Sequence, residues 1–488
     1  MDVAGTSVVV IGGGASAVYV AVAVRDRAAE RGVPAPRVTV VGREPVVGRG
    51  LAYGRAGRHH RLNSPARTMS ITATDDQHFL RWCAEHGHDV QPGDFVLRNT
   101  YGDYVEDCFR VLEADGAATA VQGDVVDLVL HGDGDGDGDG DGDGDRDGDG
   151  SAAGTGVRVV LADGRTVDAD VAVLALGNPP PTTWATGAAV QVDDPWAVDA
   201  LAAIPAGADV LLVGTGLTMV DVATMLARRG DGVRMTATSR HLLLPGVHLA
   251  APVPAGPGLD GSATSLGELV HDLGTQLRAA AQDDGPWQAV VDGVRPRLMD
   301  HWTGLSEAER RRFLEHLARR WDVRRHRMAP SVHAELEALV EAGTLRYQTD
   351  ADPADHDAVV FCTGPGAVTT PGWSPLTDAL LARGTMVAEP LGLGLAAESS
   401  TAVVDDTGIA SGRVLAIGHA LRGVLWETTA IGEIRTLAGR VADQVLAAAA
   451  AAQASADSDA VDAHDPTVGP SGTVHGTTAG ATATGPAS

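Results

Sequence analysis

Ser7-Val-Val-Val-Ile11 runs directly into Gly12-Gly13-Gly14-Ala15-Ser16-Ala17, and an apolar stretch continues to Val24. A short β-branched run, a glycine turn and a helix start, in that order, predict the first strand–turn–helix of a doubly wound α/β domain. Glycine lets the backbone come close to a pyrophosphate, and the helix N-terminus turns its free N–H groups toward it. Gly12, Gly14 and Ser16 are the expected contacts, and Ala17 replaces the third glycine of the usual pattern.

A second match gives the first its meaning. Asp209-Val-Leu-Leu-Val213 leads into Gly214-Thr215-Gly216, with Leu217 and Thr218 opening another helical pattern. Two such cradles about 200 residues apart predict two Rossmann-like, three-layer dinucleotide-binding domains. The strands that follow them differ. Arg37-Val-Thr-Val-Val41 leads to Gly42-Arg43-Glu44, where Glu44 is the nearest acid for ribose hydroxyls and Arg43 lies beside it. Val233–Thr238 ends instead in Ser239-Arg240, a hydroxyl and a guanidinium suited to a 2′-phosphate. NADPH is therefore assigned to the second cradle, which leaves FAD for the first.

At 488 residues the chain exceeds one ordinary core. The net charge is −27, much of it in an Asp-Gly tract from Gly132 to Gly150. Such acidity argues against nucleic acid as a partner, since no basic stripe is present to displace counterions. The tract lacks the spaced ligands and apolar anchors of a calcium loop, so a flexible, solvated loop is expected over 132–156. Cys83, Cys108 and Cys362 lie far apart with no Cys-x-x-Cys pair, which disfavours a zinc site or dithiol centre, and no metal is expected. There is no signal-peptide pattern and no apolar run long enough for a bilayer, so a cytoplasmic protein without membrane contact is expected.

Between the cradles stand Val47-Gly48-Arg49-Gly50-Leu51-Ala52-Tyr53-Gly54, then His60-Arg61-Leu62-Asn63-Ser64-Pro65-Ala66-Arg67-Thr68-Met69-Ser70, His78-Phe79-Leu80-Arg81-Trp82 and Arg98-Asn-Thr-Tyr101. In this order they resemble the FAD/NAD(P)-binding family that includes FAD-dependent urate hydroxylase and L-aspartate N-monooxygenase. The likeness extends to the Arg325-His326-Arg327 run and to Trp426-Glu427-Thr428-Thr429. It implies a discontinuous FAD domain, with Gly418 and His419 returning to the first cradle and Glu427 and Thr428 beside the cofactor. Met69 and Ser70 would contact FAD, while His60, Asn63 and Arg98 would line the flavin and substrate pocket as catalytic residues.

The expected division is residues 1–205 for the first part of the FAD domain, 206–350 for the NAD(P) domain with a helical insertion over 265–343, 351–446 for the second FAD part, and a disordered tail over 447–488. Asp357–Phe361 would return the chain to the FAD domain, and a Thr-led helix after Trp426 would point its N–H groups at the flavin. The activity implied by the resemblance is monooxygenation of a small molecule with O2 through a flavin hydroperoxide, at an amino group or heterocycle. The many cations around Arg310–Arg327 suit an anionic substrate. Two alternatives stay open: an NADPH-dependent reductase serving a quinone or protein acceptor, and a non-catalytic nucleotide sensor.

Overall fold

The computed structural model describes residues 6–131 and 156–462. Its strands are β1 (Ser7–Ile11), β2 (Arg37–Gly42), β3 (Ala118–Gln122), β4 (Val125–Leu130), β5 (Val157–Leu161), β6 (Thr166–Ala169), β7 (Val171–Leu174), β8 (Val190–Val192), β9 (Asp209–Val213), β10 (Arg234–Thr238), β11 (Leu345–Tyr347), β12 (Ala358–Phe361), β13 (Ala402–Val404) and β14 (Ala410–Ala416). They form two parallel-rich sheets and one antiparallel sheet, the α/β architecture expected from the two cradles.

The first sheet has the order β13-β14-β7-β1-β2-β3 and is parallel except for β13 against β14. Its central strand β1 is almost wholly apolar and its Val8, Val9 and Val10 are buried, as expected of a strand covered on both faces. The Ala15–Arg31 helix packs against helices Arg98–Ala114 and Ile431–Asp462. The β4-β5-β6 sheet contributes Leu128, Val159 and Leu161 to the same core. The β5–β6 hairpin turns at Asp163-Gly164, where Gly164 has φ +86°. The Asp-Gly tract between β4 and β5 lies outside the described residues.

The second sheet has the order β11-β10-β9-β12-β8 and is parallel throughout. This moves the domain boundaries. β12 was expected to re-enter the first domain, but it pairs with β9 and β8, so the second unit spans roughly residues 190–361. The physical reason is that β12 is buried on both faces and has no partner to find at the filled centre of the first sheet. A short buried strand does not announce which sheet will take it.

The helical region is also divided. Helix Pro330–Glu341 packs on the second sheet through Leu336. The helices between Leu266 and Arg325 instead bury Leu269, Val294, Trp302 and Trp321 against Trp426, which belongs to the first unit. Two of them start at capping boxes, Ser265 with Glu268 and Ser306 with Glu309. The last helix runs to Asp462, so the disorder expected from residue 447 is helix over 447–462. That stretch is alanine-rich, and alanine favours helix even where no large side chain is present to build a core. Residues 463–488 lie outside the described residues.

Candidate functional site

The two glycine turns are built alike. Gly12 has φ +122° and Gly214 has φ +114°, where L side chains are strained. A Cβ on Gly12 would overlap the Ala175 carbonyl just past β7, and one on Gly214 would overlap the Cys362 carbonyl just past β12. The backbone ties repeat as well. Gly12 N–H donates to Val41 and Gly214 N–H donates to Thr238, both at 2.8 Å, while Ala175 and Cys362 donate to Ile11 and Val213. The neighbouring strand alone is therefore enough to require the first glycine of each cradle.

Gly14 and Gly216 are the N-caps of the two helices, both extended, with ψ −176° and −169°. Neither helix has a capping side chain or an acid in its first turn, so their N-terminal N–H groups remain available to an anion. A Cβ on Gly216 would meet no atom within 4 Å, and one on Gly14 would come only to 3.8 Å from Gly50. These positions fit the diphosphates of two dinucleotides. Leu217 and Thr218 form the half-buried first turn of the second helix.

Gly42 has its own cause. A Cβ there would lie 2.8 Å from Gly13 Cα, so an acid cannot occupy the place at the end of β2 where one is usual. Glu44 pairs with Arg55 at 3.2 Å and Arg43 with Asp124, all largely exposed. At the second cradle, Ser239 Oγ lies 2.8 Å from Thr215 Oγ1 and accepts from Leu242 N–H, so its hydroxyl is committed to the loop. Arg240 is exposed, with no ion-pair partner among the described residues.

Gly418, with φ +82°, stands beside the first cradle, a Cβ on it reaching 3.8 Å from Ser16 Oγ. His419 is buried and its Nε2–H donates to the Gly366 carbonyl at 3.0 Å. Burial lowers the His419 pKa to about 4, so the imidazole is neutral at pH 7. Ala17 is fully buried in the first turn of the first helix. Met69 and Ser70 are buried too, and the Ser70 hydroxyl donates to Asp75 O and Thr72 O, making it a brace of its own loop.

His60, Asn63 and Arg98 come together where the two units meet. Arg98 Nη2 is 2.8 Å from Asp221 Oδ2, on the helix behind the second glycine turn. His60 Nε2–H donates to the Asp221 carbonyl at 3.3 Å, and its Nδ1 accepts from Gly57 N–H. Burial first, and the Arg98 charge after the opposing pull of Asp221, leave the His60 pKa lowered. His248 Nε2–H donates to the Asn63 carbonyl at 2.8 Å, and burial with nearby Arg327 lowers its pKa to about 4. Asp221 and His248 were missed by sequence reasoning, because a polar residue on an amphipathic helix and a His in an irregular loop carry no local signal.

Beside this junction a cleft is lined by Pro65, Phe95, His248, Gln288, Asp292 and Arg327. Arg327 is buried, its Nη2 bonded to Asp292 and its Nε without a partner. Glu427 and Thr428 lie elsewhere, under the helical segment. Glu427 accepts from Trp321 Nε1 at 3.1 Å and lies 3.4 Å from Arg325 Nε. The expected Thr-led helix does not form. The helix begins at Ile431 and places Glu433 in its own first turn, where Glu433 pairs with Arg325 and Arg295. The intervening Trp426 has φ +62°, and the buried Thr428 Oγ1 has no partner.

Residues 9–141 match the FAD-NAD(P)-binding family model. No curated protein matches the chain. Among solved structures, L-lysine 6-monooxygenase from Pseudomonas syringae is 15% identical with a TM-score of 0.58, covering 91% of this chain and 99% of that one. Ornithine hydroxylase from Pseudomonas aeruginosa is 14% identical with a TM-score of 0.57 over the same shares. The cadaverine monooxygenase from Erwinia amylovora is 11% identical with a TM-score of 0.57, covering 90% and 94%. At these identities the likeness establishes the fold. No helix among the described residues is long and apolar enough to cross a membrane.

Proposed function

We propose that the chain is an FAD- and NADPH-dependent monooxygenase that hydroxylates a small molecule at an amino group. The carrying observation is the repeated glycine turn, with Gly418 returned to the first copy. Bound FAD would take hydride from NADPH and pass the electrons to O2, one oxygen atom entering the substrate.

The first turn would hold FAD through Gly14, Ser16 and the free helix N–H groups. The second would hold NADPH, with Arg240 reading the 2′-phosphate. His60 and Arg98 hold the two units in register through Asp221, so they position the nucleotides. The cleft at the junction would take the substrate. Arg327 offers a buried positive charge to an anionic end, Asp292 can hold an ammonium group, and Phe95 keeps water out. The solved neighbours named for ornithine, lysine and cadaverine support an amino group as the target. The finer likeness to urate hydroxylase and L-aspartate N-monooxygenase rests on the motifs from Val47 to Tyr101 and on the Arg325–Arg327 and Trp426–Thr429 runs. Cytoplasmic residence belongs to the same proposal and agrees with free Cys83, Cys108 and Cys362.

The test is NADPH-dependent O2 uptake by the FAD-loaded protein with ornithine, lysine, cadaverine, aspartate and urate, with peroxide subtracted. A hydroxylated product identified by mass is expected. Fast turnover with artificial acceptors and no such product would replace the proposal with a reductase. FAD binding without reduction by NADPH would favour a sensor.

A further inference from the structure

The chain has only five tyrosines, and Tyr53, Tyr101 and Tyr104 form one run of rings with Trp82. Ring centroids are 4.9 Å apart from Tyr53 to Tyr101, 5.5 Å from Tyr101 to Tyr104 and 5.5 Å from Tyr104 to Trp82. The inner end sits beside the first glycine turn: Tyr53 lies in the short Gly50–Gly54 helix, and a Cβ on Gly50 would come within 2.9 Å of Gly14 Cα. The outer end reaches the surface, where Trp82 stacks at 4.2 Å on the exposed His86.

Burying a phenol is costly unless its hydroxyl is bonded, and Phe would fill the same volume without that cost. Here the Tyr104 and Tyr101 hydroxyls are hydrogen-bonded. Tyr104 accepts from Ile71 N–H at 3.0 Å, which leaves its own proton directed to His78 Nδ1 at 2.6 Å. Burial keeps His78 neutral and able to accept. The Tyr19 and Tyr101 hydroxyls are hydrogen-bonded at 2.6 Å, and Tyr19 also donates toward the Ser70 carbonyl at 3.4 Å. Trp82 Nε1–H donates at 3.2 Å to Asp107, which also faces His86 and Arg110.

We propose that Tyr104 and Trp82 are a radical relay that carries one-electron oxidising equivalents from the first glycine turn to the surface, with the Tyr53 and Tyr101 rings as the tunnelling bridge to that turn and His78 as the proton acceptor of Tyr104. A one-electron oxidant of the oxygen-radical class takes an electron from Tyr104 through the Tyr101 and Tyr53 rings and is reduced. As Tyr104 loses its electron, its O–H bond breaks and the proton bonds to His78 Nδ1. Trp82 then supplies an electron to Tyr104, which recovers its proton from His78, while the Trp82 Nε1 proton passes to Asp107. A soluble thiol then gives Trp82 an electron, Trp82 takes its Nε1 proton back from Asp107, and the thiol's own proton leaves to water. The use of the relay rests on the reading of the first cradle as an oxygen-activating flavin site, whereas its existence does not.

The full-length protein is mixed with the outer-sphere oxidant hexachloroiridate(IV), freeze-quenched and read by electron paramagnetic resonance. A neutral tyrosyl signal is expected, retained in Tyr347→Phe and mostly lost in Tyr104→Phe. His78→Gln should lower its yield, and Trp82→Phe should slow its decay under thiol. Circular dichroism of each variant guards against misfolding. An unchanged signal in Tyr104→Phe, a signal on Tyr347, or tryptophanyl radicals alone would overturn the relay. Those outcomes in a protein that still hydroxylates would leave the proposed function standing.

Discussion

Arg98 and Asp221 form an ion pair at 2.8 Å across the boundary of the two units, with side chains only 12% and 13% exposed. Arg98 opens the Arg98–Ala114 helix of the first unit, and Asp221 lies on the helix that the second glycine turn begins. Screening from water makes the pair worth more than a surface bridge, and removing one partner strands the other. Arg98→Ala and Asp221→Asn are each expected to destabilise by about 1–3 kcal/mol in urea titrations. The double variant should cost less than the sum, and strict additivity would show that the pair is not coupled.

Gly12 and Gly14 should separate folding from binding. Gly12→Ala forces a Cβ onto the Ala175 carbonyl at a positive φ, so the flavin-free protein should lose about 2–4 kcal/mol. Gly14→Ala meets only a 3.8 Å contact and should change stability by about 1 kcal/mol or less while weakening FAD retention. Thermal melts of the flavin-free variants, alongside their flavin content after reconstitution, check both. A normal melt for Gly12→Ala would contradict the geometry.

Arg240→Ala should raise the KM for NADPH by about 10-fold, the loss expected of one charge-assisted contact, and leave that for NADH nearly unchanged. Steady-state kinetics with both nucleotides decide it. Equal losses would remove Arg240 from 2′-phosphate recognition.

Two imidazoles set an acid limit to stability. His248 and His419 have folded pKa values of about 4 against an ordinary 6.5. Between those values the unfolded chain binds more protons than the folded one, so stability falls as pH drops from about 6.5 toward 4. Each group lowers stability by roughly 3 kcal/mol across that window. His248→Gln keeps an N–H for the Asn63 carbonyl but cannot titrate, and its Tm should depend less on pH below 6.5. An unaltered pH slope in that variant would rule out His248 as a contributor.

Both cradles were legible in the sequence because strand, glycine turn and helix start are consecutive, and their requirements are local. The reason for Gly12 was not, since its steric partner is Ala175 on a distant strand. Nor was the absence of an acid at Gly42 explicable until Gly13 was seen against it. His60, Asn63 and Arg98 are brought together, yet their partners Asp221 and His248 come from another unit and leave no pattern of their own. Glu427 and Thr428 match a motif, but they face Trp321 and a helical segment whose amphipathic repeat says nothing about where it docks. β12 was assigned to the wrong sheet because an apolar strand of four residues specifies burial and not a neighbour.

Because β8 and β12 both belong to the second sheet, the chain enters and leaves that unit by adjacent segments, joined where Gly366 N–H donates to the Pro180 carbonyl at 3.1 Å. The second unit is therefore a cassette with neighbouring ends. Recombination that exchanges it as one block leaves every strand pairing in the first sheet intact but carries His248, Asp292 and Arg327 with it, so nucleotide preference and the junction cleft change together.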